Sequence, residues 1–357
     1  MNTVTALEPM LVLENSESAR ESVPTARRKT RKPRVWTAFA TLFVAEIVGN
    51  LAVIAAFVAL VVGTGIIMGA QGADGAKIHA RLHEICRQPL LKLLLLLIPF
   101  QLGMTVVVLF AASWSKESIK QRLGLVPPTG RDFGGFTLAT MAAFTLSTAS
   151  VSVIFTNLFV GPPRRGNLVD AVITGGSWRT ITLLTIILSA LPALVEESLF
   201  RGYLQRRFLQ RWSPAVAISV SSLLFAIMHM DSLQHIIAVV PLGVVTGLLA
   251  YRTNSVKPGM LVHAIHNMGA VGFGALATAT TSHTGREELG LLLIGTIGVL
   301  GLIGLPAVVS LMRSAKPQPI VETHVAPDPV VHSVSAWSRE LSLTNYAIDS
   351  RLASPAV

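Results

Sequence analysis

Read from one end to the other, the chain alternates long apolar stretches with short polar connections. Eight apolar stretches run at about 36–62, 90–112, 133–160, 178–200, 214–230, 236–251, 258–276 and 289–312. Most reach the roughly 20 residues needed to cross the hydrocarbon of a bilayer. A backbone at that depth has no water to bond to and must satisfy its own N–H and C=O groups, so each stretch is read as a helix and none as a strand. The fifth and sixth are short, and Pro241 interrupts the sixth. No repeat of 20 to 50 residues is visible, so an array of small units is not expected. The pattern predicts an all-α polytopic membrane protein with about eight transmembrane helices.

Composition strengthens that expectation. Of 357 residues, 51% are hydrophobic and 13% charged, and the mean hydropathy is +0.60. Soluble domains carry about 25% charged residues. A single cysteine, Cys86, rules out an internal disulfide. The net charge of +10 would suit a nucleic-acid binder only if it were gathered on one surface, and it is not. It lies in the connections, beginning with the run Arg27, Arg28, Lys29, Arg31, Lys32 and Arg34. With the N-terminal tail placed inside, 19 Lys and Arg fall on the inner side and seven on the outer. That bias predicts both termini in the cytoplasm. The expected organisation is a basic tail at 1–34, a helical membrane domain at 35–315 and a polar tail at 316–357, both tails loosely ordered. No removable signal peptide is read before the first span. A bacterial cytoplasmic membrane fits these signs, with the lipid bilayer as a partner and nucleic acid excluded.

An ionisable residue at mid-membrane costs about 2.5–3.5 kcal/mol, so each one needs a reason. They gather in three places. Glu196, Glu197 and Arg201 close the fourth stretch; Glu197 and Arg201 are four apart and can pair on a helix, while Glu196 is turned about 100° away. Phe225 and His229 lie one turn apart at the end of the fifth. His263 and Asn267 share a face near the start of the seventh, with His266 turned aside. Each has an ordinary explanation: a charged helix end, a structural histidine, an interhelical hydrogen bond.

Taken in order, Glu-Glu-x-x-x-Arg, Phe-x-x-x-His and His-x-x-x-Asn on successive helices resemble the motifs of the intramembrane glutamic endopeptidases. These are the relatives of the CAAX prenyl protease and of bacteriocin-processing proteins, the CPBP or ABI family. The resemblance covers about residues 178–270 and includes the connection Tyr251–Ser255. It implies that Glu196 activates the hydrolytic water and that Glu197 is its partner, held by Arg201. It also implies that His229 orients the water, that His263 and Asn267 stabilise the oxyanion, and that Phe225 packs the site. Amide hydrolysis needs a base for water, an acid for the leaving amine and donors for the oxyanion, which is consistent with this division. The implied substrate is a membrane-associated protein or peptide, and no cofactor is implied.

Two histidines and a carboxylate could also hold zinc with an open position. They come from different helices, however, and His-Glu-x-x-His is absent, so no metal is expected. A non-catalytic scaffold or immunity protein is the alternative function, and a transporter with a Glu/His proton relay is a third. By span counting, Glu196 and His263 fall near helix ends. A converging site therefore requires a tilted or re-entrant fifth helix, or a site sunk into the bilayer. Elsewhere, Glu46 and Asn50 have two readings, as lining of a substrate cavity or as partners in an interhelical hydrogen bond, and the second is the expected one; His79, His83 and Cys86 are expected to lie in a solvated loop. His235 and His266 have no motif role. Oligomeric state has no sequence signature here.

Overall fold

The computed structural model describes residues 34–129, 134–161, 168–229, 232–284, five positions between 292 and 299, and 301–314. Apart from Arg34, both expected tails lie outside the described residues, as does part of the eighth apolar stretch. The fold is helical, and no strand occurs among the described residues. In chain order the helices are α1 (Trp36–Ala70), α2 (Gly75–Arg87), α3 (Pro89–Ser113), α4 (Ile119–Arg122), α5 (Gly135–Phe159) and α6 (Leu168–Gly175). Then come α7 (Trp178–Glu197), a π-helical run (Ser198–Gln205), α8 (Arg206–Leu209), α9 (Pro214–Ile227), α10 (Leu233–Thr253), α11 (Lys257–Thr284) and α12 (Leu305–Ser314). Among the described residues, five helices are long and apolar enough to cross a membrane: α1, α3, α5, α10 and the continuous Trp178–Leu209. The chain is an integral membrane protein.

Three boundaries differ from the sequence expectation, each for a physical reason. The fourth stretch does not stop near residue 200: the helix continues through the π-helical run to Leu209, a span of 32 residues. Glu196 and Glu197 therefore sit in its interior, and the charges beyond them are carried along by buried packing. Arg201, counted among the inner connection charges, is fully buried. Pro241 does not break α10, which runs unbroken from Leu233 to Thr253; neighbouring helices can make good a missing bond in a membrane helix. The segment holding His79, His83 and Cys86 is not a loop. It forms the amphipathic helix α2, capped by the Asp74 side chain accepting from the Lys77 N–H, with the two histidine rings stacked at 6.3 Å.

Local signals set the ends of the helices that carry the site. Ser177 and Ser213 cap α7 and α9 by accepting from backbone N–H groups three residues on, and Pro214 takes the first position of α9. α10 ends at Asn254, which adopts φ 51°, the left-handed turn that a short polar side chain tolerates.

Packing is closest where glycine removes a side chain. On α1 the buried positions are Ala38, Leu42, Ala45 and Gly49, a narrow stripe laid against α3. A Cβ added at Gly103 would lie 2.8 Å from Gly49 Cα, so the two backbones cross in direct contact. A second close approach joins the π-helical run to α10. There Arg201 Nη2 donates to the Gly243 carbonyl at 2.9 Å and Gln205 Nε2 to the Gly247 carbonyl at 2.8 Å. The two donors are four apart, and so are the two acceptors, which gives a two-rung ladder of side chain to backbone. A Cβ at Gly247 would lie 2.8 Å from Gln205 Oε1, so glycine is what lets the lower rung close. Phe200, Phe208, Phe225, Leu199 and Leu204 fill the core around this ladder.

Candidate active site

The ladder fixes Arg201, and Arg201 fixes Glu197. Nη1 lies 3.3 Å from Glu197 Oε1, with both side chains fully buried, and the guanidinium carbon sits 4.3 Å from the Phe225 ring centre. Glu197 Oε1 also accepts from His263 Nδ1 at 3.0 Å. A Cβ at Gly259, one turn before His263, would lie 3.3 Å from Glu197 Oε2, so the start of α11 approaches the carboxylate along a glycine. With Nδ1 committed as a donor, the neutral His263 ring presents a lone pair at Nε2, 3.9 Å from Glu196 Oε2.

Glu196 is held from the opposite side. Its Oε1 accepts from Gln101 Nε2 of α3 at 2.9 Å. Its Oε2 is buried without a hydrogen-bond partner in the protein. His229, just past the end of α9, has Nδ1 2.9 Å from the Phe225 carbonyl. A carbonyl only accepts, so Nδ1 donates, and a neutral ring then presents Nε2 as the acceptor. The His229 ring meets Phe225 edge-on at 5.0 Å and His235 at 4.9 Å. Asn267, one turn beyond His263, donates from Nδ2 to the Leu188 carbonyl of α7 at 3.1 Å, which leaves the amide a second N–H.

These groups open on one cavity of about 530 Å³, lined by Glu196, His229, His263 and Asn267 together with Glu46, Gln101, His235 and His266. Its remaining wall is apolar, including Leu97, Phe100, Met104, Leu188 and Val239. Four of the six residues singled out by sequence therefore line the cavity; Glu197 and Arg201 lie behind it as a buried support. Among the described residues no group of three His, Cys, Asp or Glu is arranged to hold a metal ion.

Several participants escaped the sequence reading. Gln101 is one polar residue in the apolar third helix, and only its meeting with Glu196 shows its use. His266, set aside for lack of a motif, is buried on the cavity wall with Nδ1 2.7 Å from Thr145 Oγ1 of α5. His235 was also set aside and lies against His229. Among the described residues Glu46 and Asn50 do not make the expected interhelical hydrogen bond. Asn50 Nδ2 donates to the Glu46 backbone carbonyl at 2.8 Å, while the Glu46 side chain lines the cavity. An isolated polar side chain in an apolar run was the signal available for both Gln101 and Glu46.

The cavity gathers a carboxylate, histidines and an amide in an otherwise apolar space among the helices. Residues 177–269 match the family model described as type II CAAX prenyl endopeptidase Rce1-like. The match covers the segment that carries Glu196, His229, His263 and Asn267, and that segment is similar to the CAAX protease family. Neither a curated protein nor a solved structure shows significant similarity to it.

Proposed function

We propose that the protein is an intramembrane endopeptidase that hydrolyses a peptide bond of a membrane-associated protein or peptide by direct attack of water. The observation that carries this is the state of Glu196: one oxygen tethered by Gln101, the other buried, unpartnered and beside His263 in the family-matched core. Such an oxygen is placed to take a proton from water as it attacks the carbonyl carbon. Glu196 then passes that proton to the leaving nitrogen, so the carboxylate is regenerated and the C–N bond breaks without a covalent enzyme intermediate.

The supporting roles follow from which atoms are already used. His229 offers Nε2 to the same water. Asn267 offers its second N–H to the oxyanion. His263 offers one from Nε2 when the ring carries both protons, and its Nδ1 bond to Glu197 holds the ring in place. Glu197 and Arg201 act as positioning residues. No metal is assigned a role: among the described residues no group of three His, Cys, Asp or Glu is arranged to hold one. Activity retained after exhaustive chelation checks this. We further assign both termini to the cytoplasmic side of a bacterial inner membrane, on the distribution of Lys and Arg; terminal reporter fusions test it.

The decisive experiment compares protein termini in membrane and secreted fractions from cells carrying the intact protein or Glu196→Gln. Termini that disappear in the variant identify the substrate. Unchanged termini with normal insertion of the variant overturn the hydrolase assignment in favour of a binding role.

A further inference from the structure

The cavity holds a second carboxylate that the hydrolytic scheme does not use. Glu46 stands on α1, outside the family-matched segment, about 15 Å along the helix from Trp36 at 1.5 Å per residue. It lies well inside a helix long and apolar enough to cross a membrane. It is half-buried and brought to the cavity by the Gly49–Gly103 crossing, which lies one turn beyond it on α1 and two residues beyond Gln101 on α3. Among the described residues no ion pair or hydrogen bond reaches its carboxylate; its electrostatic neighbour is Glu196, of the same sign. Among the described residues no lysine or arginine lines the cavity. The support cation, Arg201, is fully buried behind it and already engaged by Glu197 and Gly243.

Two acidic groups facing one low-dielectric space repel each other, and a cation entering between them removes that repulsion and adds two attractions. A lysine or arginine meets this need: its apolar stem matches the leucine, methionine and phenylalanine wall, and its charged head reaches the carboxylate. We propose that Glu46 forms a specificity subsite that selects substrates carrying a lysine or arginine beside the scissile bond. The inference rests on the hydrolase assignment and adds to it a substrate class, an apolar segment with a basic residue at the cleavage point. In this role Glu46 touches the substrate side chain and not the reacting atoms, so its loss alters which bonds are cut.

The test extends the comparison of termini to Glu46→Gln and Glu46→Asp, with the amount of inserted protein measured for each. Termini that depend on Glu196 are expected to carry Lys or Arg within a few residues of the cut. Glu46→Gln is expected to reduce those about tenfold while sparing Glu196-dependent termini without a basic flank, and Glu46→Asp to keep the preference. A complementary arm leaves the enzyme intact and changes the flanking Lys or Arg of an identified substrate to Gln, with the same tenfold loss expected. The subsite is overturned if Glu196-dependent termini show no basic bias, if Glu46→Gln lowers all of them equally at normal abundance, or if the substrate change has no effect. If Glu196→Gln itself alters no terminus, the hydrolase assignment fails first and the subsite fails with it.

Discussion

Replacing Arg201 by methionine keeps most of the side-chain volume and removes the charge from the centre of the support network. The guanidinium and the Glu197 carboxylate are fully buried and 3.3 Å apart, which corresponds to about 5 kcal/mol of attraction at an effective dielectric of about 20. Breaking a buried pair from one side typically costs about 3–5 kcal/mol, because the remaining charge is left without compensation. The Gly243 carbonyl also loses its donor, about 1–3 kcal/mol, and Phe225 loses its cation. The single variant is therefore expected to be destabilised by about 3–5 kcal/mol. Neutralising the partner as well, Arg201→Met with Glu197→Gln, should return about 2 kcal/mol of this, since the orphaned carboxylate is gone while the carbonyl and the ring remain unserved. Unfolding of the purified protein in mixed micelles, followed by tryptophan fluorescence against denaturing detergent, gives the four corners of the cycle. A single variant within 1 kcal/mol of the parent, or a double variant no more stable than the single one, would refute the buried pair as the element that holds the site.

Three further outcomes are expected. Glu196→Gln should lower hydrolysis by about 10²–10⁴-fold with little change in unfolding, because its main tether, Gln101, can still bond an amide; a large loss of stability would instead mark a structural role. Gln101→Leu should reduce kcat by about tenfold to a hundredfold with a smaller change in KM, since it frees Glu196 Oε1 while a side chain of similar size stays on the cavity wall; a change confined to KM would contradict this. Gly103→Ala drives a Cβ onto the Gly49 backbone and the Val48 carbonyl, both 2.8 Å away, and should cost about 1–3 kcal/mol as an overpacked contact. Normal stability in that variant would mean that the crossing can yield freely.

What the sequence made legible was local. Glu197 and Arg201 sit at helical spacing, and their pairing in the structure needs nothing beyond that spacing. The apolar stretches were found to within a few residues for α3 and α5, where polar connections bound them on both sides. The limit of the fourth was misread because Arg201, Gln205, Arg206 and Arg207 resemble the start of a connection. Their side chains donate to α10 carbonyls, Asn254 and Thr37, partners that lie far along the chain. The apparent separation of Glu196 from the helix interior followed from the same misreading, and the continued span removes it. Gln101 and His266 were missed as site residues for a related reason: each acquires its role from a helix remote in sequence, and spacing along one helix carries no trace of that meeting.

The direct backbone contact between Gly49 and Gly103 has a consequence for how such a protein diversifies. The site is assembled from two parts: the family-matched segment 177–269, which holds the motif residues, and a wall of α1 and α3 whose backbones touch at Gly49 and Gly103. Because α1 reaches the cavity through Glu46 among the described lining residues, a substitution at that position is expected to change the proposed preference without touching the ladder that holds Arg201. Lineages that share the core would then be expected to differ first in their leading helix, and chimeras that exchange α1 together with α3 to transfer preference while leaving the core's chemistry in place.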